Sequence, residues 1–190
     1  MNRTELSTIV AGSLADQARH NNTSLAESFL SAALIVVVDT SGSMGATDSR
    51  GGRSRYDVAC AELADLQRSM PGKVAVIAFS SDVEFAPGGM PPYLGGSTDL
   101  AGALRFAHVA DTPGIRFVVI SDGEPDDSAA ALAEAKTYTN RIDTIYVGPE
   151  ASPHGRKFLQ LLAKCSGGQS VTADRAQELR ASIETLLLSA

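Results

Sequence analysis

The chain has 190 residues, 44% of them hydrophobic and 20% charged, and carries a formal net charge of −6. That size and balance fit one soluble globular domain with a sizeable core and exclude a disordered chain. The acidic balance, the lack of tryptophan and the 5% aromatic content argue against a nucleic-acid partner. Its phosphates would be repelled, and its bases would find no stacking platform.

Along the chain, Leu6, Val10, Leu14 and Ala18 recur at i+4 with Ile9 beside them, which predicts an amphipathic helix over residues 4–19. His20-Asn21-Asn22-Thr23-Ser24 breaks that pattern, and Leu25 and Phe29 lead into a first strand. Four apolar runs rich in β-branched residues follow: ALIVVV (33–38), VAVIAF (74–79), IRFVVI (115–120) and IDTIYV (142–147). They show little alternation, as strands buried on both faces of a mainly parallel sheet do. VEFAP (83–87) reads as a short strand antiparallel to VAVIAF across the Ser80-Ser81-Asp82 turn.

Helical stretches lie between these strands. Tyr56 to Met70 is stopped by Pro71-Gly72, and Leu100 to Val109 follows a Gly-Gly turn. Ser128 to Asn140 opens after Asp126 and Asp127, which suit a helix N-cap and first turn. His154 to Cys165 is closed by Ser166-Gly167-Gly168, and Asp174 caps a last helix with Leu179, Ile183, Leu186 and Leu187 along one face. Alternating βα units with short connections predict an α/β fold, a doubly wound and mostly parallel central sheet with one antiparallel edge strand and helices on both faces. Residues 1–30 read as an N-terminal helical extension and 31–190 as the main domain. Cys60 and Cys165 each sit in an apolar helical context and read as buried free thiols of a reducing compartment. The N-terminus MNRTELSTIVAGSLADQARHNN lacks the apolar stretch of a signal peptide, and AALIVVV at 32–38 is too short to span a bilayer, so the expected location is cytoplasmic.

In an open parallel sheet, ligands bind beyond the carboxyl ends of the strands. Three segments deliver oxygen-bearing side chains to that rim: DTSGS after the first strand (39–43), GGSTDLAGAL (95–104) before a helix, and SDGEPDD (121–127) after a later strand. Turn formation and helix capping explain any one of them, and all three together ask for more. Oxygen-only donors select a hard cation.

The order and placement of DTSGSM, TDLAGAL and SDGEP resemble the von Willebrand factor A (VWA) family, whose metal-ion-dependent adhesion site is built from three such segments. The resemblance implies that Ser41, Ser43 and Thr98 ligate a cation through their hydroxyls, with Asp39 and Asp122 acting through bound water or hydrogen bonds. Ser97 is a rival to Thr98, which fits the family's spacing to Ala103-Leu104 better. It implies Mg²⁺, with Mn²⁺ and Ca²⁺ as alternatives, and a partner protein that supplies a glutamate or aspartate carboxylate to the metal. The expected function is therefore protein binding without catalysis, with the last helix as a moving readout. The SDGEP loop and the small size are similar to bacterial cytoplasmic members, including tellurium-resistance-type stress proteins and partners of MoxR-like AAA+ ATPases.

Two hydrolase readings compete. A haloacid dehalogenase-like enzyme would need D-x-D after the first strand, but Ser41 stands at the acid/base position. A serine hydrolase would use Ser43, Asp122 and His154, but Ser41 replaces the first glycine of the nucleophile elbow. His154, beside Pro153 at the head of a helix, reads as a surface residue. Glu124, Asp126 and Asp127 read as acids of a helix start, and Arg50, Arg53 and Arg55 as a solvated run that could also grip an acidic partner.

Overall fold

The structure is a computed structural model and describes residues 9–149, 151–175 and 181. Its centre is a six-stranded sheet of β1 (Leu34–Asp39), β2 (Val74–Phe79), β3 (Val83–Phe85), β4 (Arg116–Ser121), β5 (Ile142–Tyr146) and β6 (Ser170–Thr172). The spatial order is β3-β2-β1-β4-β5-β6, parallel throughout except for the antiparallel β2/β3 pair. The α/β class, the buried parallel strands and the single antiparallel edge strand are as the sequence predicts.

β1 and β2 are buried along their whole length, so each alternate side chain enters a different core. Ile35, Val37 and Val119 face one layer with Leu100, Leu104, Ala131 and Leu159. Leu34, Val36, Val38 and Ile120 face the other with Met44, Val58, Leu63 and Leu66. The first layer draws on α1 (Leu14–Asn21), α4 (Leu100–Ala107), α5 (Ser128–Ala135) and α6 (Pro153–Ser166). The second draws on α3 (Arg55–Ser69).

Several boundaries differ from the sequence reading. Residues 4–8 of the predicted first helix lie outside the described residues, and α1 starts only at Leu14. Gly12 is the cause: its φ is +82°, and a Cβ there would sit 2.3 Å from the Gln67 carbonyl oxygen. The Ser13 hydroxyl then caps the helix by accepting from the Asp16 amide. A short helix α2 (Leu25–Leu30) occupies what reads as a lead-in to β1, closed by a capping box between Ser24 and Glu27. α5 stops at Ala135 instead of Asn140, and Tyr138 beyond it turns inward to bond the Leu104 carbonyl and to pack edge-on against Phe117. β6 and its pairing with β5 are additions to the predicted strands. Of the predicted last helix, Asp174 lies in a short 3₁₀ turn, and Leu179, Ile183, Leu186 and Leu187 lie outside the described residues.

This topology fixes where a ligand would sit. The chain runs from β1 outward through β2 and β3, then crosses back to place β4 on the other side of β1. The strand order therefore reverses at the β1/β4 pair, which opens a crevice beyond the carboxyl ends of these two strands. Asp39 is the last residue of β1 and Asp122 follows the last residue of β4.

Candidate functional site

Asp39 is fully buried at the end of β1, and both its oxygens are used. Oδ1 accepts from the Ser41 amide at 2.9 Å, and Oδ2 accepts from the Ser121 hydroxyl at 2.7 Å. Ser121 in turn accepts from the Gly123 amide at 2.9 Å, so the turn after β4 is tied to the end of β1. The turn that Asp39 closes places the Ser41 and Ser43 hydroxyls 3.2 Å apart, Ser41 buried and Ser43 half-buried. The short 3₁₀ turn Gly42–Gly45 that carries Ser43 is fastened through Met44, which is fully buried under the sheet.

The second segment is laced to the first. The Gly42 amide donates to the Gly96 carbonyl and the Gly95 amide to the Thr40 carbonyl, at 3.0 and 2.9 Å. Gly95 and Gly96 both hold positive φ, the condition for so tight a return. Thr98 is buried, and among the described residues its hydroxyl has no hydrogen-bond partner. Ser97 is exposed and bonds the Ser81 hydroxyl at 3.0 Å, a partner of a kind that Thr98 lacks among the described residues.

The third segment meets the second through Asp126. Its Oδ2 accepts from the Thr98 amide at 3.0 Å, and its own amide donates to the Thr98 carbonyl at 3.1 Å. Asp126 is therefore a clasp between loops, while Asp127 alone caps α5. Asp122 itself is 1% exposed, and its Oδ1 accepts from the Glu124 amide at 3.3 Å. Its Oδ2 is held by the Arg55 guanidinium at 2.6 Å. Arg55 also makes two bonds of 2.8 Å to the two oxygens of Asp48, a bidentate pair of the kind guanidinium favours.

The arginines correct the reading of a solvated run. Arg55 is 8% exposed and belongs to the cluster. Arg50 bonds Glu62 at 2.9 Å and the Ala173 carbonyl at 3.0 Å, so it straps the loop of residues 46–54 to α3 and to the end of β6. Arg53 remains exposed and donates to the Asp57 carbonyl. Arg55, Ser121 and Asp48 are the cluster residues that sequence reasoning does not assign. The arginine is visible there only as part of a charge run, and the serine only as part of S-D-G.

Electrostatically the cluster is strained on its acidic side. Burial, then the negative charge of Asp122, push the Asp39 carboxyl up from 3.8 to about 6, against the lowering effect of its bonds to Ser41 and Ser121. Asp48 moves the other way, held below the ordinary carboxylate range by its hydrogen bonds to Arg55. Among the described residues no three His, Cys, Asp or Glu side chains form a metal-binding group. A cation here would therefore lean on hydroxyls. Ser41, Ser43 and Thr98 with Asp39 and Asp122 behind them are an all-oxygen donor set that fits a small hard divalent ion.

The back of the cluster has no room for added atoms. A Cβ on Gly155, in the first turn of α6, would lie 1.9 Å from the Asp122 carbonyl oxygen, and one on Gly123 would lie 2.2 Å from the Gly155 carbonyl oxygen. These glycines let α6 abut the backbone of Asp122. Gly155→Ala is expected to destabilise the protein by about 1–3 kcal/mol through overpacking. For a chain of this size that is a fall in Tm of roughly 2–4 °C per kcal/mol, which a thermal melt reads directly.

No protein-family model matches the chain, and no curated protein matches it. Solved structures do. An aerotolerance-related membrane protein from Bacteroides fragilis aligns with a TM-score of 0.67 at 19% identity, over 83% of this chain and 98% of that one. A manganese-loaded TRAP protein of Plasmodium vivax aligns with a TM-score of 0.58 at 18% identity, over 81% of this chain and 72% of that one. A von Willebrand factor type A protein from Catenulispora acidiphila aligns with a TM-score of 0.57 at 17% identity, over 81% of this chain and 42% of that one. At these identities the likeness is one of fold, and the fold is that of a VWA-like α/β domain.

Proposed function

We propose that this chain is a divalent-cation-dependent protein-binding module, in which the rim beyond β1 and β4 holds a metal ion that an acidic residue of a partner completes. The observation that carries this reading is the pair of Ser41 and Ser43 hydroxyls, 3.2 Å apart, on a loop fastened by backbone bonds to the segment of Thr98, whose hydroxyl has no partner among the described residues. Asp39 and Asp122 stand behind them, both buried, with Asp122 held by Arg55 and Asp39 bonded only to neutral groups. Neutral hydroxyls in contact with a divalent ion leave much of its charge uncompensated, so an exposed carboxylate from outside is the natural final ligand. Mg²⁺ is the first choice for the ion, with Mn²⁺ and Ca²⁺ as alternatives. The manganese-loaded TRAP structure supports Mn²⁺ as a convenient probe.

Catalysis finds no support in the same geometry. Asp122 is engaged by Arg55, not by a histidine, and His154 is exposed at the start of α6 without a bond to either residue among those described. Among the described residues Ser43 therefore has no bonded base that would activate it.

A melt series with and without Mn²⁺ tests the cation. Saturating Mn²⁺, at about a hundred times its dissociation constant, is expected to stabilise the wild type by about 2.7 kcal/mol. Ser41→Ala is expected to remove that response while the protein stays folded. A pull-down run with Mg²⁺ and with a chelator then tests the partner. A protein retained equally in both arms, or retained by Ser41→Ala, would sink the metal-bridged reading. AAA+ ATPases and stress-complex components are the partners that the VWA resemblance puts forward for this screen.

A further inference from the structure

We propose that Arg55 is the resident counter-ion of the cluster, which keeps cation binding weak until an anionic ligand joins; this rests on the cation reading given above. Arg55 occupies the first turn of α3, where the helix dipole disfavours a positive charge. It is nonetheless 8% exposed, and its guanidinium bridges Asp122 at 2.6 Å and Asp48 at 2.8 Å twice. Two outside contacts, not its own helix, therefore fix its position.

Charge counting gives the consequence. Asp39 and Asp122 are the buried negative charges of the rim, and Arg55, shared with the more exposed Asp48, offsets part of the charge of Asp122. Asp48, whose side chain is 45% exposed, sits on the solvent side of Arg55 and serves as its tether. A divalent ion entering this cluster meets the guanidinium charge beside Asp122, a repulsion that two free carboxylates would not have presented. Arg55 thus lowers the affinity of the metal alone and raises the demand for an external carboxylate. The two effects are linked, because whatever factor the carboxylate adds to metal affinity, the metal adds to carboxylate affinity. Arg55 also takes Asp122 Oδ2 by a short charged bond, while Oδ1 accepts from the Glu124 amide, so the carboxylate is pinned at both oxygens before any ion arrives.

The test is Mn²⁺ binding followed by the electron paramagnetic resonance signal of the free ion, at fixed pH and ionic strength, with and without acetate as the carboxylate probe. Arg55→Met keeps the length and apolar stem of the side chain and removes its charge. It is expected to bind Mn²⁺ about tenfold more tightly or better, within the usual range of coupling between charged sites. The gain in Mn²⁺ affinity that acetate gives the wild type is expected to shrink by a similar factor. Arg55→Lys is expected to stay close to the wild type, and Arg53→Met, which removes an exposed charge from the same loop, to leave affinity unchanged. Where Arg55→Met does not fold by circular dichroism, Arg55→Gln carries the same test. A folded, charge-free variant with unchanged or weaker Mn²⁺ affinity overturns the role of Arg55 and leaves the cation site standing. Wild-type protein with no Mn²⁺ binding sensitive to Ser41→Ala overturns both.

Discussion

Asp39→Asn is expected to make the metal-free protein more stable at neutral pH and to abolish its response to divalent cations. The Asp39 carboxyl titrates at about 6 in the folded chain against 3.8 for the free group, mainly because it is buried. The sign follows from which state holds the proton. Below the lower value both states are protonated, and the group costs nothing. Between about pH 4 and pH 6 the unfolded chain releases its proton while the folded chain keeps it, so stability falls as pH rises and stays reduced above. A shift of this size corresponds to about 2–3 kcal/mol.

Asparagine removes that penalty, and its side chain can keep the local bonds. Its carbonyl oxygen still accepts from the Ser41 amide, and its NH₂ faces the Ser121 oxygen, which can accept once its own proton turns away. Losing the ideal donor order costs about 1 kcal/mol, so a net gain of roughly 1–2 kcal/mol remains. Melts of the two proteins from acid to neutral pH check this. The variant should lie slightly below the wild type in acid, cross it between about pH 4 and pH 5, and lie above it by pH 7. Parallel curves would mean that Asp39 carries no penalty. A variant that still gains stability from Mn²⁺ would remove Asp39 from the site. A residue that weakens the empty fold and is needed only when the ion is present is the usual signature of a site kept for function.

What is legible in the sequence divides along the same physical line. β1, β2, β4 and β5 are readable because burial on both faces demands continuous β-branched apolar runs, and runs this short fit little else than the interior of a sheet. β6 is not, since Ser170-Val171-Thr172 is three half-buried residues with two hydroxyls, held as a strand by its pairing with β5. The first helix starts later than its pattern predicts because the i+4 spacing of Val10 and Leu14 runs straight across Gly12, whose role is set by the distant Gln67 backbone. α2 has a visible signal, the Ser24–Glu27 capping box, but six residues are too few for a periodic pattern to rise above the neighbouring strand. At the rim, the residues with family-like spacing do fall on loops tied together around β1 and β4. Arg55 reads as solvated because its partner Asp122 lies 67 positions away, and only the fold brings them together.

Asp122→Asn should act in the opposite direction from the same change at Asp39, although both remove one negative charge from one cluster. Asp122 is the member whose charge is compensated: it receives the short bond from Arg55 at 2.6 Å. Neutralising it leaves a largely buried guanidinium with Asp48 alone, and breaking a buried pair from one side costs about 3–5 kcal/mol when nothing else relaxes. Two things relax here. Asp48 keeps its two bonds to Arg55, and Asp39 loses the repulsion that is the second cause of its raised carboxyl. The net fall should therefore be about 1–3 kcal/mol, or several degrees in Tm for a chain of this size. The relief of Asp39 gives a second readout: the loss of stability between pH 4 and pH 6 should be shallower in Asp122→Asn than in the wild type. Combining the two substitutions should then give less than the sum of their separate effects, because the gain from Asp39→Asn has already been partly delivered by Asp122→Asn. Additive effects with an unchanged pH profile would mean that the two carboxylates do not sense each other. The cluster would then lack the shared excess of negative charge that a divalent ion is proposed to meet.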